Sequence, residues 1–212
     1  MPQAPGTKYI LLDTNCFLRI YCSPVIPLLG RDVEGYRLLT LGRLIDEFKA
    51  NPRLVATFTN LGAPPKSTDL ENGALRLRNP KKGKVEARKA AISAYARMFI
   101  QGKNARGASL TPLSPEDVEL LATSIVLKGV LATDEKALTE LSRDLIDNED
   151  EEDAPSGTMN SFDVLHLLER NNLLTADQRR NTVSTWLRIN TMLPAGWRNY
   201  YQTLFGESAD EL

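Results

Sequence analysis

Asp13 closes the short apolar run Tyr9-Ile-Leu-Leu and is followed by Thr14 and Asn15. Far along the chain a second run, Gly129-Val-Leu-Ala-Thr, closes on Asp134 and Glu135. A few apolar residues that stop at an acid read as a buried strand ending in a turn. The carboxyl ends of strands in open α/β sheets are where ligands and chemistry collect. Two such strands would bring carboxylates side by side, where they repel unless a cation lies between them. Oxygen-only donors suit the hard ions Mg²⁺ or Mn²⁺ and not zinc. Such an ion neutralises phosphate charge and lowers the pKa of its bound water, which points to metal-assisted phosphodiester hydrolysis. Serine or cysteine nucleophile schemes lack a histidine at any motif-like spacing. The single histidine, His166, lies among Leu165, Leu167 and Leu168 and reads as structural.

Charge along the chain favours a polyanionic substrate. The net charge of −1 conceals a window from Lys66 to Arg106 with eleven bases and three acids, a formal +8. Seven acids and no base follow between Asp144 and Asp153. Segregation of this kind implies a phosphate-binding surface, largely blind to sequence and sensitive to salt, beside a separate acidic segment. Arg76, Arg78, Lys81, Lys82 and Lys84, on a stretch punctuated by glycine and proline, are the candidate nucleic-acid contacts. The acidic run could act as a built-in competitor for them. Its simpler reading is a solvated, mobile loop.

The remaining composition is that of a globular protein, with 42% hydrophobic and 25% charged residues over 212 positions. No apolar run approaches the length of a membrane span, and no membrane partner is expected. The N-terminus carries no export signal, and Cys16 and Cys22 are the only cysteines, so a reduced, cytoplasmic protein is the expectation. Too few histidines and cysteines exist for a structural zinc site.

The elements that must position the acids follow from periodicity. Strands are expected at 8–13, 53–58 and 130–133, and helices at 15–21, 36–50, 84–101, 114–128, 136–146, 162–170, 175–189 and 195–205. In the second helix Leu38, Leu41, Ile45 and Phe48 share a face, and Asn51-Pro52 ends it. Gly62-Ala-Pro-Pro65 reads as a loop. Ser114-Pro-Glu-Asp117 and Thr175-Ala-Asp-Gln178 carry N-terminal capping chemistry, and Ser161 would cap the helix after it. Strands alternating with helices give an α/β class, with a mainly parallel central sheet flanked by helices. The expected organisation is a nuclease-like domain over 7–170, a C-terminal helical appendage on the same core over 171–205, and a disordered tail over 206–212. The aromatic residues of the last helix could form an oligomer or partner surface.

Taken together, Leu11-Leu-Asp-Thr-Asn15, Asp117-Val-Glu-Leu-Leu-Ala-Thr-Ser124 and Leu131-Ala-Thr-Asp-Glu-Lys-Ala-Leu138 resemble the PIN-domain nucleases, in the order and separation of their acids. The resemblance covers residues 9–20 and 113–138 and implies a three-layer PIN-like fold. It also implies metal ligands at Asp13, Asp117 and Asp134, with support from Asn15 and Thr133. Glu135 aligns with the acid of members that read Thr-x-Asp, so either Asp134 or Glu135 could ligate. A further acid, usually glutamate on a helix after the second strand, has no match in Thr59-Asn-Leu-Gly-Ala-Pro-Pro65. Glu47 is the candidate for that catalytic role, with Glu71 as the alternative. An endoribonuclease leaving 5′-phosphate and 3′-hydroxyl ends is what the family implies. Many members are toxins neutralised by an antitoxin protein, and others cut DNA or structured RNA. A PIN-like module that binds nucleic acid or protein without cutting is the reading from a different class.

Overall fold

Five residues, Lys8–Leu12, form the strand (β1) around which the chain is organised. The computed structural model describes residues 7–212 apart from 22, 34, 60–66, 151 and 190–192. After β1 come α1 (Thr14–Tyr21), β2 (Asp32–Val33), β3 (Tyr36–Leu41), α2 (Gly42–Ala50), α3 (Pro52–Thr59), α4 (Ser67–Gly73) and β4 (Ala74–Leu75). The second half runs α5 (Asn79–Ala105), α6 (Pro115–Leu127), β5 (Val130–Ala132), α7 (Lys136–Asn148), β6 (Gly157–Met159), α8 (Ser161–Arg170), α9 (Ala176–Arg188) and α10 (Trp197–Phe205). The strands form one sheet in the order β2-β3-β1-β5-β6, with β4 also pairing β3. All pairings are parallel except β2 with β3.

Alternation along these strands feeds two cores. Ile10, Leu12, Leu38, Val130 and Ala132 pack with Phe17, Ile20, Phe162, Leu165 and Trp186. Leu11, Leu39, Leu41 and Leu131 pack with Val85, Val118, Leu121, Ile125 and Leu141. The sheet is therefore apolar on both faces and covered by helices on both, as parallel strands require. No helix among the described residues is long and apolar enough to cross a membrane.

That double burial explains the first departure from the sequence reading. Residues 36–41, expected as the first turns of a helix, are β3, paired along their length with β1. A strand buried on both faces has apolar residues on both, here Leu38, Leu39 and Leu41, and satisfies a 3-4 pattern by accident. Residues 53–58, expected as a strand, are helical in α3. The Asn51 Oδ1 accepts the Leu54 N–H at 3.2 Å, and Pro52 is the first helical residue. Asn51-Pro52, read as a stop for one helix, is thus also the start of the next. The loop expected at 62–65 and the position of Cys22 lie outside the described residues.

Other differences are smaller. Helix α5 begins at Asn79, so Lys81, Lys82 and Lys84 lie on its first turns and not on a loop. After the acidic run, Gly157–Met159 pairs with β5 as a parallel strand. Asn160, not Ser161, caps α8, its Oδ1 accepting the Phe162 and Asp163 N–H groups at 2.8 and 3.0 Å. The tail expected to be disordered forms a 3-10 turn, Ala209–Glu211, with Ala209 buried. Its anchor is Arg179, 2% exposed, which pairs with Glu169 at 2.7 Å and Glu207 at 3.0 Å. The same guanidinium bonds the Tyr201 hydroxyl and lies 4.2 Å from the Phe205 ring centroid.

Candidate active site at the carboxyl edge of the sheet

Register brings the candidate residues together. Leu12 is opposite Ala132 and Thr40, and Ala132 is opposite Met159. The residues that follow these positions emerge along one edge. The Asp13 N–H donates to the Ala132 carbonyl at 2.9 Å, and the Thr133 N–H to Met159 at 2.9 Å. The chain adds β3 on one side of β1, then β5 and β6 on the other. This reversal leaves a crevice between β1 and β5 at their carboxyl ends, the usual ligand position in such sheets.

Asp13 lies in that crevice, 3% exposed. One oxygen accepts the Cys16 N–H at 2.6 Å, capping α1, and the other accepts the Thr133 hydroxyl at 2.5 Å. Burial pushes its pKa up to about 6, opposed by those hydrogen bonds and reinforced by the charge of Asp117. Thr133 is fully buried, and its oxygen also accepts the Glu135 N–H at 3.0 Å. Asp117 is the third residue of α6 in a reciprocal cap. Its Oδ2 accepts the Ser114 N–H at 2.9 Å and hydroxyl at 2.6 Å, while the Asp117 N–H donates to Ser114 Oγ at 3.1 Å. The cap uses Oδ2, and Oδ1 has no hydrogen bond among the described residues.

Asp134 is committed elsewhere. Its carboxylate forms an ion pair with Arg19, and the two side chains are 4% and 3% exposed. It also accepts the Ser161 N–H at 3.1 Å and the Cys16 thiol at 3.3 Å. Burial and neighbouring Asp13 keep that thiol neutral. Arg19 is held in turn by Trp186, whose indole N–H donates to the Arg19 carbonyl at 3.0 Å and whose ring is 5.8 Å from the guanidinium. Two charges out of water stay ionised only as a well-bonded pair. The pair satisfies Asp134 with a guanidinium, and the charge of Asp13 acts on the same Arg19.

The remaining candidates spread outward. Glu135 precedes α7 and accepts the Thr111 hydroxyl at 2.9 Å. Asn15 is exposed on the first turn of α1. Glu47 is exposed on α2, and Glu71 is exposed on α4 where it pairs with Lys49. Neither has a contact with Asp13 or Asp117 among the described residues. The first turn of α2, directly beyond β3, presents Arg43, whose guanidinium pairs with Glu116 at 3.3 Å and Glu119 at 3.1 Å on α6. Arg76 is held by both oxygens of Asp46, at 2.8 and 3.0 Å. Arg78, Lys81, Lys82 and Lys84 are exposed at the start of α5, a helix with no acid in its first turn.

Arg19 and Arg43 were invisible as site residues in the sequence. Arg19 sits one helical turn past Cys16, a spacing that would have placed it on the Asp13 side of α1. Arg43 needed the true boundary between β3 and α2. Among the described residues no group of three or more His, Cys, Asp or Glu side chains is arranged to hold a metal ion. Comparison with protein-family models, curated proteins and solved structures found no match.

Proposed function

We propose that the chain is a Mg²⁺- or Mn²⁺-dependent nuclease of PIN type, acting on RNA. The observation that carries this reading is Asp13, a carboxylate buried at the strand-end crevice and within the field of Asp117. The Asp13 oxygens accept the Cys16 N–H and the Thr133 hydroxyl, and the Cys16 side chain interacts with the same carboxylate. A Mg²⁺ ion is commonly bound by one or two carboxylates, with water and substrate phosphate completing the shell. Asp13 and Asp117, close enough for the charge of one to act on the other, are the acids that would hold the ion. When bound, such an ion neutralises phosphate charge and activates water.

The chain's own residues supply the rest. Thr133 fixes the orientation of Asp13, and Ser114 that of Asp117. Arg43, paired with Glu116 and Glu119 on the helix that carries Asp117, is a further cation that could turn to a substrate phosphate. Arg78, Lys81, Lys82 and Lys84 offer a sequence-blind hold on the backbone. A neutralising protein partner rests on the family resemblance alone.

The test is cleavage of labelled single-stranded RNA and DNA with Mg²⁺, Mn²⁺ or EDTA. Wild type is expected to cut RNA only with metal, and Asp13→Asn and Asp117→Asn to lose at least a hundredfold in rate. A second reading, a PIN-like module that binds without cutting, is favoured by the Arg19–Asp134 pair and by Arg43 on the helix after the second parallel strand. Equal, salt-sensitive binding by wild type and Asp13→Asn, with no metal-dependent product, would establish it.

A further inference from the structure

A cleft of about 750 Å³ adjoins the crevice, between α7, the start of α8 and α10. Its lining includes Thr133, Asp134, Arg143, Asn160, Trp197 and Tyr200. Thr133, which bonds Asp13, is on the lining, so the cleft begins beside that carboxylate. The volume is within the usual range for a small-molecule or nucleotide site.

The walls are aromatic and fixed. The Trp197 ring is parallel to the buried Phe162 ring, 3° apart in plane with centroids separated by 6.0 Å. Phe162 is itself wedged edge-on against Trp186 and Tyr201. Tyr200 is 39% exposed, and its hydroxyl is tethered to Asp163. The Arg198 guanidinium lies over the Trp197 ring, 4.8 Å from its centroid, so Tyr200 is the ring that offers flat surface at little entropic cost.

The electrostatics are equally specific. Each acid on the lining has a partner. Asp134 is paired with Arg19, Asp163 accepts from the Asn160 N–H and Tyr200, and Glu140 pairs with Lys103 and Lys136. Arg143, exposed at the rim, has no ion-pair partner among the described residues. Neutral hydrogen-bonding groups fill the space between. The Thr158 hydroxyl is covered by protein and has no hydrogen-bond partner among the described residues. Flat apolar walls, neutral donors and acceptors, and one uncommitted cation at the mouth match a base with its attached phosphate.

We infer that this cleft takes one unpaired nucleotide of the substrate strand, its base against Tyr200 and beside Trp197, and its phosphate toward Arg143. The inference rests on the nucleic-acid reading above and adds a base-binding cleft to it. A base within a duplex is stacked and paired on both sides and cannot enter, so the nucleotide held here is unpaired.

Anisotropy titrations of a labelled ten-nucleotide RNA in EDTA, single-stranded and annealed to its complement, test this directly. Tryptophan emission is followed in parallel, and because Trp186 is fully buried the change reports Trp197. The single strand is expected to bind at least tenfold more tightly than the duplex and to quench emission. Arg143→Gln, an exposed change that leaves the core untouched, and Tyr200→Ala should each weaken single-strand binding about tenfold, in keeping with the loss of one stacking or phosphate contact. The affinity of Tyr200→Ala for heparin, a polyanion without bases, should stay at the wild-type value. Equal affinity for duplex and single strand overturns the inference, as do unmoved emission or variants that bind like wild type. If those results accompany cleavage that depends on Asp13, the nuclease reading stands and the cleft assignment alone falls. Quenching and strand preference in a protein that never cuts would keep the cleft and remove the catalysis.

Discussion

At the scale of single residues, Asp13 dominates the energetics of the site. Its folded pKa is raised to about 6 from an ordinary 3.8, with burial as the main cause. The unfolded chain gives up this proton at the lower pH, and the folded chain keeps it until the higher one. Between about pH 4 and 6 the folded state therefore binds the extra proton, and stability falls as pH rises. The shift corresponds to about 3 kcal/mol lost by pH 8. Asp13→Asn should remove this slope and raise the thermal midpoint in EDTA at pH 8. A divalent ion that binds here stabilises the native state by mass action. Excess Mg²⁺ should raise the wild-type midpoint and leave Asp13→Asn unmoved, in melts followed by circular dichroism. A wild-type midpoint indifferent to millimolar Mg²⁺ and Mn²⁺ would remove the metal from the proposal. The Arg19–Asp134 pair makes a separate demand. Arg19→Met alone strands a buried carboxylate and should cost about 3–5 kcal/mol in urea unfolding. Adding Asp134→Leu should recover most of that loss, because the pair and not either charge is what the interior tolerates.

Among the elements, α6 and α5 carry the two halves of the proposed function. Helix α6 delivers Asp117 through a cap, with Ser114 satisfying the helix start and fixing the carboxylate in the same bonds. Ser114→Ala should cost about 1 kcal/mol in stability and should also weaken the Mg²⁺ response, since Asp117 loses its orientation. Helix α5 carries the basic surface, and the acidic segment folds against it. Arg88 pairs with Asp153 and donates to the Glu152 carbonyl at 3.0 Å, while Tyr95 bonds Asp144. The segment therefore occupies part of the helix that carries the candidate phosphate contacts. Replacing Asp150, Glu152 and Asp153 by asparagine or glutamine should tighten oligonucleotide binding several-fold at low salt and steepen its salt dependence. Unchanged affinity and slope would reduce the segment to a solvated connection.

For the whole molecule, segregated charge on a near-neutral chain and a C-terminal knot set the shape of the binding surface. Arg179 gathers Glu169, Glu207 and Tyr201, so α8, α9, α10 and the last turn share one anchor. That anchor holds α10, and with it Trp197 and Tyr200, over the mouth of the cleft. Arg179→Leu leaves Glu169 and Glu207 without their buried partner and should cost about 3–5 kcal/mol. Hydrogen exchange should speed up in 197–211 before it does in β1 or β5. Uniform exchange in both regions would mean that the appendage unfolds with the sheet and not ahead of it.

Local chemistry was legible from sequence wherever it depends on neighbours in the chain. Asp13 and Asp134 after apolar runs, the Ser114–Asp117 cap, the Thr175 cap and the charge windows are all short-range patterns, and the α/β alternation follows from them. The boundary of β3 was not legible, since a doubly buried strand and a helix face have the same apolar content. Strand β6 was equally hidden, because three residues of modest hydropathy become a strand only with β5 beside them. The partners of the acids were decided last and only in three dimensions. Sequence could put Asp13 and Asp134 after apolar runs and Asp117 in a helix cap, but not that Arg19 would reach Asp134 while Asp13 kept Thr133 and the field of Asp117. Which carboxylate a buried guanidinium neutralises depends on packing distances across elements more than a hundred residues apart, and no spacing along the chain encodes that.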